Sequence, residues 1–273
     1  MSPLHALASL WILATAVMSA GWWWQHRRGN AAVADVLWSA LLAVGAWTLA
    51  AWGAGSSAPR ALLALLGGGW ALRLSVHLLR RVRREPEDGR YQALRARWSD
   101  RAGNWFAFFQ LQALSVVLFA LPFVPVAANR HPGAAWLAAG ALFWFTGVLG
   151  ESLADRQLAR WRSVPGNRGR TCRTGLWRYS RHPNYFFEWL HWFAYVFLAV
   201  GSPWWWLAWA GPVVMFIFLR WISGIPYTEA QALRTRGEDY RDYQRTTPML
   251  FPWFPKTRAP GNTTSTDTAP RKK

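Results

Sequence analysis

The chain is short of the features on which most soluble enzymes are built. Its 273 residues include one cysteine, Cys172, which excludes an intramolecular disulfide and a cysteine-rich metal site. Charged residues make up only 16%, against roughly 25% in an ordinary soluble domain. No GxGxxG follows a strand-like segment, and there is no Walker motif and no nucleophile elbow, so a soluble dinucleotide or nucleotide domain is excluded. No Lys or Arg precedes the first apolar run, which argues for a signal anchor rather than a cleaved signal peptide. Acidic residues number 13 against 31 Lys and Arg, a formal balance of +18.

What is present is apolar and aromatic: 52% hydrophobic residues, with 22 tryptophans. The mean hydropathy of +0.01 averages long apolar runs against dense arginine clusters. A spanning helix needs about 20 mostly apolar residues. Seven runs are candidates: 4–24, 33–53, 61–79, 105–127, 134–153, 185–200 and 204–222. The segment Arg80–Arg101 carries eight arginines and Arg156–Arg181 another eight, while the connections near Arg60, Arg130 and Gly201 carry one, one and none. Positive loops stay cytoplasmic, so the alternation predicts an all-α polytopic protein of about seven transmembrane helices, N-terminus outside and C-terminus cytoplasmic. Tryptophans at 22–24 and 204–206 suit interfacial belts. The expected organisation is one membrane domain over 1–256 and a disordered Thr/Pro/Gly-rich tail over 257–273. The arginines read as topology signals and not as a nucleic-acid footprint.

Ionisable residues within spans are costly and are functional candidates by default. Asp35, Arg73, His77 and Glu151 qualify, with Arg73 and His77 four apart on one helix face. An ion pair of Arg73 with Asp35 or Glu151 fits the same pattern without a ligand. The densest polar stretch runs from Asp155 to Tyr185 and enters the sixth apolar run through Pro183, a first-turn residue. Arg178, Arg181 and His182 beside that helix start make a site for an anionic group. Glu188 and His191, three apart, face one cavity, but two ligands do not make a metal site, and none is expected. After the seventh run, residues 230–245 read either as an amphipathic helix on the inner leaflet or as a lid over the arginine-rich pocket.

The stretch Gly175-Leu-Trp-Arg-Tyr-Ser-Arg-His-Pro-Asn-Tyr185 with Glu188 resembles the signature of the steroid 5α-reductase and sterol reductase superfamily, most closely its bacterial branch of unknown function. Trp70–Leu74, Glu87–Tyr91, Glu151–Gln157, Ser223–Pro226, Gly237–Tyr240 and Phe251–Trp253 carry the likeness along the chain. The resemblance implies NADPH-dependent reduction of a carbon–carbon double bond in a lipid-soluble, steroid-like or other enone substrate, in a bacterial inner membrane. It places the cofactor in the half from about 150 to 256. Asp155, Arg162, Trp177, Arg181, His182, Asn184, Tyr185, Arg234, Arg236 and Tyr243 would contact it.

Reduction of an activated alkene also needs a proton donor in a dry site, for which Glu188, Tyr185 and Glu151 are the candidates. The Gln-Glu pair that binds steroid in the 5α-reductases has no counterpart in the first four runs. S-adenosylmethionine-dependent membrane methyltransferases of the isoprenylcysteine type share the Arg-His-Pro-x-Tyr motif and form the alternative. Their paired glutamates are replaced here by Thr228-Glu229. A third reading is a non-catalytic protein whose basic loops hold anionic membrane lipid.

Overall fold

In a computed structural model, the structure describes residues 2–256; the tail assigned to 257–273 lies outside the described residues. Among the described residues every regular element is helical. In chain order these are α1 (Pro3–Arg28), α2 (Val33–Trp52), α3 (Ser57–Leu62), α4 (Gly69–Arg84), α5 (Gly89–Trp98), α6 (Ala102–Ala120) and α7 (Phe123–Ala127). There follow α8 (Ala134–Ser163), α9 (Pro183–His191), α10 (Phe193–Ala199), α11 (Ala210–Ile217), α12 (Ile225–Arg236) and α13 (Glu238–Thr246).

Among the described residues six helical segments are long and apolar enough to cross a membrane: Pro3–Arg28, Val33–Trp52, Ser57–Arg84, Ala102–Ala120, Ala134–Ser163 and Trp205–Arg236. Their outward faces need lipid. Along α8, Leu142, Phe145, Leu149 and Leu153 recur at helical spacing and are all exposed, an apolar stripe that water would not tolerate at this length. The chain is therefore a multi-pass membrane protein. The sixth apolar run is not one continuous helix: it is divided between α9 and α10, with a turn at the fully buried Trp192.

Two spans contain π-helical stretches, Leu63–Gly68 and Phe218–Ile222. The first has a visible cause. Trp47 Nε1 donates to the Ala64 carbonyl at 3.0 Å across Gly68, where a Cβ would lie 2.2 Å from that nitrogen. A wider turn frees the carbonyl, and glycine leaves room for the indole.

The arginine-rich segment between α4 and α6 folds as α5 and is fastened to the α1–α2 connection. Glu87 accepts from the Ala31 amide at 2.7 Å and pairs with Arg95 at 2.9 Å. Asp35 is held by Tyr91 Oη at 2.6 Å and Arg90 at 3.3 Å. Asp35 is thus a tie between α2 and α5, and the alternative pairing with Arg73 is not made. Burial works against the charge of Asp88, but the Arg90 guanidinium and amide hold its carboxyl below the usual range.

Candidate functional site

The basic segment between α8 and α9 is packed as a platform, with α8 on one side and α12–α13 on the other. Trp177 is buried and its Nε1 donates to Ala154 O at 2.9 Å. Leu176 N donates to Gln157 Oε1 at 2.9 Å. Gly175 permits this approach: its φ is +59°, and a Cβ there would stand 2.5 Å from the same oxygen. From the other side Tyr243 Oη donates to the carbonyls of Trp177 and, at 3.0 Å, Ser180. Arg173 bridges Asp239 and Asp242, each at 2.9 Å.

Glu229 of α12 is the hub of this packing. It accepts from Arg181 Nε at 2.7 Å, Gln244 Nε2 at 2.9 Å and Tyr240 Oη at 3.4 Å, and faces His182 Nε2 at 3.2 Å. Arg181 Nη1 donates to the carbonyls of Gln244 and Thr247 at 3.0 and 2.9 Å. Burial holds the His182 imidazole below its ordinary range, so it stays neutral and carries its proton on Nε2 toward the carboxylate. The Tyr185 ring stacks on His182, and its hydroxyl meets Thr228 Oγ1 at 3.1 Å. Burial also drives the Tyr240 and Tyr243 phenols up, so both remain donors.

The ten residues expected around a cofactor therefore separate into two groups. Trp177, Arg181, His182, Tyr185 and Tyr243 spend their polar atoms on the protein's own scaffold. Arg162 and Asp155 are exposed and Asn184 and Arg236 half-buried, while exposed Arg234 pairs only with Gln231 at 3.0 Å. A cavity of about 470 Å³ at the end of α8 is lined by Trp161, Arg162, Arg168, Arg170 and Arg236 among others. None of these four arginines has an ion-pair partner among the described residues. The buried Trp161 Nε1 has no hydrogen-bond partner. Arg168 and Arg170 lay in the basic stretch singled out from the sequence, but their place at the cavity wall depends on the loop's path, which no motif reports.

From that cavity α8 leads back into the membrane-embedded part. Arg162, Asp155 and Glu151 lie seven and four residues apart, which places them on one helix face over roughly 16 Å. Asn184 Nδ2 donates to Asp155 Oδ1 at 3.1 Å, linking α9 to this face. One turn further, Glu151 of α8 and Glu188 of α9 are neighbours across the α8–α9 contact.

The close helix approach behind this pair rests on two glycines of α8. A Cβ on Gly147 would lie 2.4 Å from His191 Cβ, and one on Gly150 would lie 2.3 Å from the Phe187 ring. His191 Nδ1 donates to Glu188 O at 2.9 Å, while its Nε2 is buried without a partner. Arg73 and His77 of α4 complete the cleft, Arg73 near the two glutamates and His77 near Asp155. Among the described residues no cluster of three His, Cys, Asp or Glu is placed to hold a metal ion.

Fold and site together define a polytopic helical membrane protein with two neighbouring glutamates on the α8–α9 contact beneath an arginine-lined cavity. The family model described as "Protein of unknown function (DUF1295)" matches residues 21–247, and the chain belongs to that family. It is 32% identical over 189 residues to the uncharacterized protein C594.04c of the fission yeast Schizosaccharomyces pombe, a match covering 57% of this chain. The matched region spans about half of that relative, 54% of its length. No solved structure matches the chain.

Proposed function

We propose that this protein is a membrane reductase of the steroid 5α-reductase and sterol reductase superfamily, acting with NADPH on a carbon–carbon double bond of a lipid-soluble substrate. The observation that carries the reading is the continuous polar track along α8: an unpaired arginine cavity at one end, Asp155–Asn184 in the middle and the Glu151–Glu188 pair at the buried end. A dinucleotide needs this order of chemistry, with cations for phosphates, an amide for the nicotinamide carboxamide, and a proton source beyond it.

The residues present fit such a group. Four arginines without counter-charges and the unpartnered Trp161 Nε1 offer donors to phosphate or ribose oxygens. Bound there, the reduced cofactor supplies the hydride. Glu188, with Glu151 beside it, delivers the matching proton to the substrate. Arg73 offsets the negative charge left on the pair. Arg181, His182, Trp177 and Tyr243 hold the platform, and Tyr185 locks α9 to α12 through Thr228.

In this reading α9 and α10, 9 and 7 residues long, together reach roughly 24 Å and act as a broken seventh span. The arginine cavity then faces the cytoplasm, the N-terminus lies outside, and the protein sits in a bacterial inner membrane.

Nucleotide binding by detergent-purified full-length protein tests the proposal, with NADPH, NADH and S-adenosylmethionine compared. NADPH should bind, and Asn184→Ala should weaken it about tenfold with an unchanged melting midpoint. Binding of S-adenosylmethionine alone, or of none of the three, overturns it.

A further inference from the structure

A second cavity, of about 650 Å³, lies at the opposite end of the bundle. It is bounded by the start of α1, the end of α2, α7 and the loops at 128–131 and 201–205. Residues 128–131 lead into the first turn of α8, whereas the arginine cavity lies at its last turn, so the length of this 30-residue helix, roughly 45 Å, separates the two. The walls are apolar and aromatic: Leu49, Trp52, Val124, Ala127, Trp204 and Trp205.

The polar groups at this cavity share one character. Arg130 and His131 line it with exposed side chains, and Arg130 is held to the Ala54 carbonyl through Nε at 3.3 Å. Arg130 has no ion-pair partner among the described residues, and no Asp or Glu occurs anywhere in 1–34, 36–84, 101–150 or 189–228, the segments that supply this end. Ser202, 4% exposed, lines the same space, and its buried Oγ has no hydrogen-bond partner.

The frame around the cavity is fixed. Asn129 is fully buried; its Nδ2 donates to the carbonyls of Leu198 and Val200, both at 2.9 Å, and its Oδ1 accepts from His131 N at 3.1 Å. Gly55 N and Ser56 N donate to Ala127 O and Asn129 O at 2.9 and 2.8 Å. Gly201 has φ +98°, and a Cβ there would lie 2.3 Å from His131 O, so only glycine lets these two loops meet. A preformed, mostly apolar cavity of this volume with a few convergent polar groups is what a small-molecule site requires.

We propose that this cavity is a binding site for one amphipathic lipid of the surrounding bilayer. Its chain lies against Leu49, Val124 and the tryptophans, and its anionic headgroup is taken by Arg130, His131 and Ser202 Oγ. The apolar walls exclude a free inorganic anion as the natural occupant, since they would face it with nothing but desolvation cost. The uncompensated Arg130 guanidinium favours an anionic over a zwitterionic headgroup. This site is independent of the reductase reading.

The test is the dissociation constant of detergent-purified full-length protein for phosphatidylglycerol and for phosphatidylcholine of identical chains, with inorganic phosphate as a third probe. Phosphatidylglycerol should bind about tenfold more tightly than phosphatidylcholine. The double variant Arg130→Gln/His131→Gln, which changes only exposed side chains, should abolish that preference while retaining binding of both lipids. Ala128→Trp should weaken both by filling the cavity. Equal affinity for the two lipids, a preference that survives the double variant, or binding of phosphate as tight as that of phosphatidylglycerol would each overturn the proposal. NADPH binding should be unchanged in both variants, so failure here is separable from failure of the cofactor site.

Discussion

Arg181 and Glu229, 48 residues apart in the chain, meet at 2.7 Å and join the arginine-rich loop to α12. Both are largely enclosed, with side chains 11% and 16% exposed. The Arg-His pair of the motif thus turns toward the protein's own carboxylate, while Asn184, two residues beyond His182, turns toward Asp155 and the open cleft.

Removing the charge of Glu229 leaves Arg181 enclosed without a counter-ion. Glu229→Gln should cost about 3 kcal/mol of stability, the scale for breaking a buried pair by one partner. Arg241→Gln, in an exposed pair with Glu238, should change it by no more than about 0.5 kcal/mol. Thermal unfolding in detergent checks both.

His182 makes stability depend on pH with a defined sign. Burial sets its folded pKa below the unfolded value of 6.5. As pH falls through 6.5 the unfolded chain takes up a proton that the folded chain refuses, so this contribution is present above 6.5 and is lost below it. The slope from this group reaches at most about 1.4 kcal/mol per pH unit. His182→Gln should flatten the melting midpoint's dependence on pH between about 6.5 and 5 relative to the parent chain.

The α8–α9 approach should be intolerant of a single methyl group. Gly147→Ala places a Cβ 2.4–2.9 Å from three atoms of His191, two of them backbone, and should destabilise by about 1–3 kcal/mol. Gly103→Ala in α6 meets nothing within 4 Å and should stabilise by about 0.5–1 kcal/mol. Melting midpoints of the two variants should move in opposite directions.

For the carboxyl pair, Glu188→Gln should lower the rate of the proposed reduction by at least about a hundredfold while leaving the NADPH dissociation constant unchanged. Glu151→Gln should lower it less, and the double variant should be no slower than Glu188→Gln alone if the two serve one proton transfer. Additive losses would show that they act separately.

Composition made the membrane architecture legible because lipid imposes a simple rule, and the long apolar runs obey it. The sequence did not reveal the break at Trp192, because 185–200 is apolar on both sides of it. Nor did it reveal the π-helical stretch at Leu63–Gly68, which depends on an indole from another span. Glu151, Asp155, Asn184 and Glu188 were legible as polar residues where polarity is costly. In the sequence Glu229 is one polar residue of the segment after the seventh run, beside Thr228 where the methyltransferases carry paired glutamates. Its role as the hub that occupies Arg181 and His182 arises from a tertiary approach that local pattern cannot encode. The cavity at Arg130 was missed because its frame is made of backbone carbonyls and glycines.

The partners of Arg181 have a consequence for biosynthesis. The ribosome delivers the basic loop well before the segment that carries Glu229, Gln244 and Thr247. A nascent chain ending before α12 lacks the carboxylate that positions the loop, so the arginine-lined cavity takes shape only with the last stretch of translation.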